Sequence, residues 1–141
     1  MLHTDLIEQA EHLTWRESRW PRQASLRRAV STAYYALFHM LLYEATLMLF
    51  PNKPSGLRHK SSRAFSHQEM KTVCALFVKS GGIDGLTTNP LALELTEIAN
   101  TFVDLQQKRH NADYNLAETF DRVQVFSDSR GLETQWQNGR S

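Results

Sequence analysis

The sequence predicts an all-α protein of four or five helices with antiparallel neighbours. The stretch from Leu26 to Phe50 runs 25 residues without Gly or Pro. Elsewhere, apolar side chains recur at helical steps of 3 and 4. No stretch shows the period-two alternation of a strand, and there is no internal repeat or low-complexity segment. A chain of 141 residues suits one domain. Residues 1–130 are assigned to the bundle, and residues 131–141 to a C-terminal tail expected to fray.

The Leu26–Phe50 stretch is the expected centre of the bundle. Ala, Leu and Met, all good helix formers, fill much of it. Leu26, Ala29, Val30, Ala33, Leu37, Leu41, Ala45 and Met48 form one stripe. Phe38, Met40, Leu42, Leu47 and Leu49 widen it, so this helix must be covered on several sides. A membrane span does not fit. Ala36 to Phe50 contains His39 and Glu44, and its apolar run is shorter than the ~20 residues a bilayer needs.

The first helix is expected to start at Thr4 as N-cap and to bury Leu6, Ile7, Ala10 and Leu13. Residues 15–28 follow with five arginines and two tryptophans. Such residues either contact a phosphate and a base or form a solvated bundle corner. Residues 51–63, PNKPSGLRHKSSR, read as a basic loop. Ser66-x-x-Glu69 is a capping box that opens a helix carrying Met70, Val73, Cys74 and Phe77. Gly81-Gly82 ends it, and residues 80–88 form a second loop. Asn89-Pro90 starts the next helix, with a stripe of Leu91, Leu95, Ile98, Phe102 and Leu105. One more step of 4 lands on Arg109. Asn115-x-x-Glu118 reads as a second capping box, before a helix carrying Ala117, Phe120, Val123 and Phe126. That helix weakens around Gly131, and the tail holds Trp136.

Overall charge is uninformative, with 16 basic and 15 acidic side chains. Residues 1–63 carry 9 basic and 5 acidic groups, and residues 64–141 carry 7 and 10. That asymmetry can steer a phosphate ligand or a second subunit, but it is too weak to diagnose nucleic-acid binding. Cys74 is the single cysteine, which excludes an internal disulfide and reads as an inert core thiol. No two histidines stand three or four residues apart, and there is no H-E-x-x-H, so no metal and no cofactor are expected. The N-terminus is acidic and amphipathic rather than a signal peptide, which makes the cytoplasm the expected location.

Two stretches can carry chemistry. KRHNADYN, Lys108 to Asn115, closes the Arg109 stripe. A guanidinium on a core-directed face needs a partner. That partner is either Asp113, in a clasp fastening the helix junction, or a bound phosphate, with His110 or Tyr114 nearby. On the central helix, Arg28, Ser31, Tyr35 and His39 form a polar stripe, with Tyr34 beside it. If the second and fourth helices are neighbours, that stripe faces the KRHNADYN junction. A metal-free phosphoryl transfer needs only a positioned RNA 2′-OH, a proton acceptor and a charge on phosphorus's side, for which His or Tyr and Arg suffice. Arg63 in the loop is coupled to His67 in the first turn of the next helix, and the basic loop residues Arg58, His59, Lys60 and Arg63 either hold an RNA backbone or solvate the loop.

STAYYALFH on one long helix and RHNADY at the end of another resemble the HEPN superfamily of small bacterial and archaeal proteins, over roughly residues 5 to 127. The resemblance implies an up-and-down bundle of four or five helices that dimerises. It also implies either a metal-independent endoribonuclease of a toxin–antitoxin or defence system, or a noncatalytic partner of a nucleotidyltransferase that binds nucleotide or protein. The family's Arg falls on Arg109. Its His, five to seven residues further on in the motif, is replaced here by Tyr114, Asn115 or Leu116. The implied site is Arg109, His110 and Tyr114, supported by Asp113, Asn111, Tyr35 and His39, with Arg28, Arg63 and Lys108 as phosphate-binding candidates. RNA or a nucleotide, a second copy of the chain and a nucleotidyltransferase antitoxin are the implied partners, with no membrane. An enzyme requires an open basic cleft around Arg109. A noncatalytic protein requires a closed Arg109–Asp113–Tyr114 network.

Overall fold

Gln23 to Leu49 forms one unbroken helix, α2, around which the others gather. The computed structural model describes residues 1–79 and 90–138. Its other helices are α1 (Leu2–Thr14), α3 (Ser55–Ser62), α4 (His67–Lys79), α5 (Pro90–Tyr114) and α6 (Arg122–Asn138). Helix α2 packs against α1, α3, α5 and α6, and α5 also packs against α4. Arg27 meets Ala112 and Phe38 meets Phe102, so α2 and α5 run antiparallel.

Among the described residues the helices therefore number six, not the four or five expected. The extra one is α3, inside the segment read as a loop. Pro54 is its N-cap, where a missing N–H costs nothing. None of its residues is buried, so no apolar period announces it. Two starts also shift. Helix α1 begins at Leu2, and the Thr4 hydroxyl donates back to the Met1 carbonyl at 2.6 Å instead of capping. Asn115 forms a tight turn, its side-chain oxygen accepting the Ala117 N–H at 3.2 Å. The cap of α6 is Asp121, which accepts the Gln124 N–H at 2.9 Å. That start sets a different phase: Val125 and Ser129 face inward, while Val123 is exposed. Helix α6 continues past Gly131 to Asn138. The Gly81-Gly82 stop, the loop over 80–88 and the Asn89 cap lie outside the described residues. So do the side chains of Met48, Leu49, Val73, Phe77, Leu91, Leu95 and Trp136.

The predicted stripe of α2 is the core. Leu26, Ala29, Val30, Ala33 and Leu37 are all buried, as are Ile7 and Ala10 of α1 and Phe102 and Leu105 of α5. Each large side chain so buried contributes about 1.5–3 kcal/mol. Cys74 lies in this core, and burial pushes its thiol pKa up, as expected for an inert thiol.

The C-terminal end of α5 is tied down by α2. The last carbonyls of a helix have no partner within it. Arg27 supplies one, donating to the carbonyls of Asn111 (3.3 Å), Ala112 (2.8 Å), Asn115 (3.0 Å) and Glu118. A cation there also complements the helix dipole. Gln23 adds a two-way clamp on Phe120, donating to its carbonyl at 2.8 Å and accepting its N–H at 2.9 Å. The junction is thus fastened by Arg27 and Gln23.

Candidate functional site

Arg109 stands two turns below the α5 core residue Phe102, over the α2 surface that carries Tyr34. Its guanidinium lies 5.2 Å from the Tyr34 ring centroid, a cation–π distance. Its Nη1 donates to Asp113 Oδ2 at 3.3 Å, and the Ser31 hydroxyl donates to the other Asp113 oxygen at 2.6 Å. The Arg109 side chain is only 20% exposed, and its buried Nε has no hydrogen-bond partner among the described residues.

His67 completes the cluster from α4. The capping box places it in the first turn. Ser66 N–H donates to the Glu69 carboxylate at 2.9 Å, and Glu69 N–H donates to the Ser66 hydroxyl at 3.1 Å. The imidazole stacks on Phe38 at 3.8 Å between centroids, with Tyr35 edge-on at 5.5 Å. Its Nδ1 lies 2.8 Å from the Tyr34 hydroxyl, and the Gln106 amide reaches its carbonyl at 3.5 Å.

Burial, the Arg109 charge and His39 together hold the His67 pKa below its ordinary value. Burial pushes the Tyr34 phenol up to about 12, against a lowering by Arg109. At neutral pH the imidazole is therefore neutral and the phenol protonated. In the tautomer whose Nδ1–H donates to the phenol oxygen, Nε2 keeps a lone pair; in the other, the phenol O–H donates to Nδ1. A neutral base beside a shielded guanidinium is the pairing that proton abstraction and anion stabilisation require.

Comparison with known protein families, curated proteins and solved structures finds no match to this chain.

The structure gathers some of the sequence candidates and disperses others. Arg109, Asp113, Tyr35 and, through Asp113, Ser31 share the centre. His110 does not join it: α5 stays helical through Tyr114, so adjacent residues diverge, and its ring meets Tyr114 at 5.1 Å instead. Tyr114 is 69% exposed and outside the Arg109 clasp. The Asn111 side chain accepts from Gln107 at 3.0 Å. Lys108 is occupied elsewhere, 3.0 Å from both Asp104 and Asp128. Burial opposes its charge, but those two carboxylates more than compensate and raise its pKa. Arg28 is exposed. His39 and Arg63 line a separate cavity. Trp15 packs at the bundle end, edge-on to Phe126 at 5.5 Å and beneath Arg122, whereas Trp20 is exposed. Among the described residues no cluster of His, Cys, Asp or Glu has metal-binding geometry, and no helix is long and apolar enough to cross a membrane.

Sequence reasoning placed His67 in the first turn of the helix after the basic loop, as found, and missed its place beside Arg109. The capping box fixes the residue in a first turn, which was readable. That this turn meets Phe38 and Tyr34 is a tertiary fact with no local signal.

Proposed function

We propose that the chain is an HEPN-like RNA-binding protein that cleaves RNA without a metal at the Arg109–His67 centre. One observation supports this above the others. Arg109 is largely shielded from water, yet its one hydrogen bond among the described residues is the 3.3 Å contact to Asp113. A phosphate presents the paired acceptors that such a guanidinium lacks.

In this reading the RNA 2′-OH gives its proton to His67 Nε2, and its oxygen attacks the adjacent phosphorus. The bond from phosphorus to the 5′-oxygen breaks, and that oxygen leaves with a proton from solvent. The products are a cyclic phosphate and a 5′-OH. Arg109 offsets the charge gained on phosphorus. Asp113, held by Ser31, orients Arg109. His110 and Tyr114, on the exposed end of α5, contact the strand beyond the reacting phosphate or a second subunit. A homodimer that brings two Arg109 centres to one groove belongs to the same reading.

The Arg109–Asp113 contact also favours a second reading. In it Asp113 keeps Arg109 closed, and the protein is a noncatalytic partner of a nucleotide or of a nucleotidyltransferase.

The test is incubation of purified protein with mixed-sequence RNA in EDTA, alongside Arg109→Ala. Cyclic phosphate ends that form with the wild type and vanish in R109A are expected. No cleavage by a folded protein, under conditions where R109A is equally folded, rejects the enzyme and leaves the binding reading.

A further inference from the structure

A second basic feature lies apart from the Arg109 clasp. A cavity of about 600 Å³ opens between the start of α1, the C-terminal half of α2, and α3. Its size falls in the range of small-molecule sites. Its lining is strongly biased. Arg58, His59 and Arg63 come from α3 and its end, His39 from α2 and His3 from α1, and among the described residues no carboxylate lines it. A shallow depression on the other side of α1 has the opposite character, with Asp5 and Glu8 in its lining.

The basic groups are available to a ligand. His59 and Arg63 are exposed, and Arg58 is partly so. Arg58 uses one nitrogen on the Lys53 carbonyl at 2.6 Å, which fixes its direction while leaving other donors. Serine hydroxyls at Ser55 and Ser62 stand among them. The opposite wall is apolar, formed by Leu2, Leu42 and the Tyr43 ring. Tyr43 itself is braced by the buried His3 ring, 5.7 Å away.

Helix α3 buries none of its residues, so the core does not account for its cations. A short helix with Arg58, His59, Lys60 and Arg63 and no acidic residue gains no stability from self-repulsion.

We infer that this cavity binds a phosphate ester, with Arg58, His59 and Arg63 on the phosphate and the Tyr43–Leu42 wall against the apolar body of the ligand. The inference stands on residues distinct from Arg109, and only its strand source rests on the nuclease reading. The ester has two possible sources. One is a free mononucleotide-like molecule. The other is a phosphate of an RNA strand seated at Arg109, since His39, which lines the cavity, lies edge-on to Phe38 at 5.7 Å, the ring on which His67 stacks.

The experiment titrates the full chain with inorganic phosphate, adenosine 5′-monophosphate and a 2′-O-methyl RNA tetramer, following the imidazole NMR signals of His39 and His59. Variants are R109A and Arg58→Ala/Arg63→Ala, whose sites on α3 lie outside the core. The expected result is saturable shifts with at least one ester, weakened at least tenfold in R58A/R63A. Monophosphate binding that persists in R109A assigns the free ligand. Binding by the tetramer alone, lost in R109A, assigns the strand. Unmoved His39 and His59 signals with all three probes, or equal binding by folded R58A/R63A, overturns the inference.

Discussion

Two arginines reach across the α2–α5 contact, and they are used differently. Arg27 donates to four carbonyls and lies 5.5 Å over Phe120. Arg109 makes one 3.3 Å bond to Asp113 and leaves its Nε unpartnered among the described residues. A shielded cation with few partners is expensive. Where one guanidinium is saturated by backbone and a neighbouring one is not, the first is explained by folding. The second is paired with Asp113 through one nitrogen and keeps donors for a further anion. The contrast separates residues that build the RHNADY junction from residues that use it.

The largest effect should come from removing Arg109. R109A is expected to lower metal-free RNA cleavage by about three orders of magnitude, in line with loss of a transition-state anion donor. Its urea midpoint should stay near that of the wild type. His67→Asn comes next, with a loss of about two orders. If H67N cleaves like the wild type, His67 is not the base. Arg27→Met should show the mirror image. Four carbonyls lose the Arg27 donor, of which Asn111 and Asn115 keep a backbone N–H, and stability should fall by about 2–4 kcal/mol in urea unfolding. Cleavage per folded molecule should persist. A stable R27M would erase the distinction between the two arginines.

Smaller effects sharpen it. Asp113→Asn removes the one carboxylate competing with phosphate for Arg109. Binding of a non-cleavable RNA should tighten about threefold, measured by fluorescence anisotropy, for roughly 0.6 kcal/mol. Weaker binding would mean that Asp113 orients Arg109 more than it blocks it. The smallest effect is on pH dependence. The His67 pKa is lowered from 6.5 by burial first and by Arg109 second. Between that lowered value and 6.5 the unfolded chain binds the proton more readily than the folded one. The contribution of His67 to stability is therefore complete above 6.5 and is lost as pH falls through the lowered value. Urea midpoints at pH 7.5 and 5.5 should show the drop, and H67N should reduce it. The His39 pKa is lowered by burial too, so part of the drop remains.

Much of the fold was legible because it rests on local rules. An uninterrupted apolar period announced α2, and the Ser66–Glu69 box announced α4 to the residue. Helix α3 was hidden because it buries nothing, so only Pro and Gly, read as breakers, were visible. The phase of α6 was misjudged because Asn115 and Asp121 are equally good caps in sequence, and Gln23 and Arg27 decide between them from a distant helix. Within the candidate site, Arg109 stood out by its position on an apolar stripe, and its contact with Asp113 was one of the two readings open. His67 could not be paired with Arg109, since its stack on Phe38 spans separate helices.

The central claim is that Arg109, and not Arg27, receives an anion. The most direct measurement follows the arginine Nε–H signals by NMR while a 2′-deoxy oligonucleotide, unable to cleave, is added to saturation. The account predicts a saturable shift of the Arg109 signal with Arg27 unmoved. An Arg109 signal that stays in place while the oligonucleotide binds would contradict it and would leave Arg109 as a clasp for Asp113.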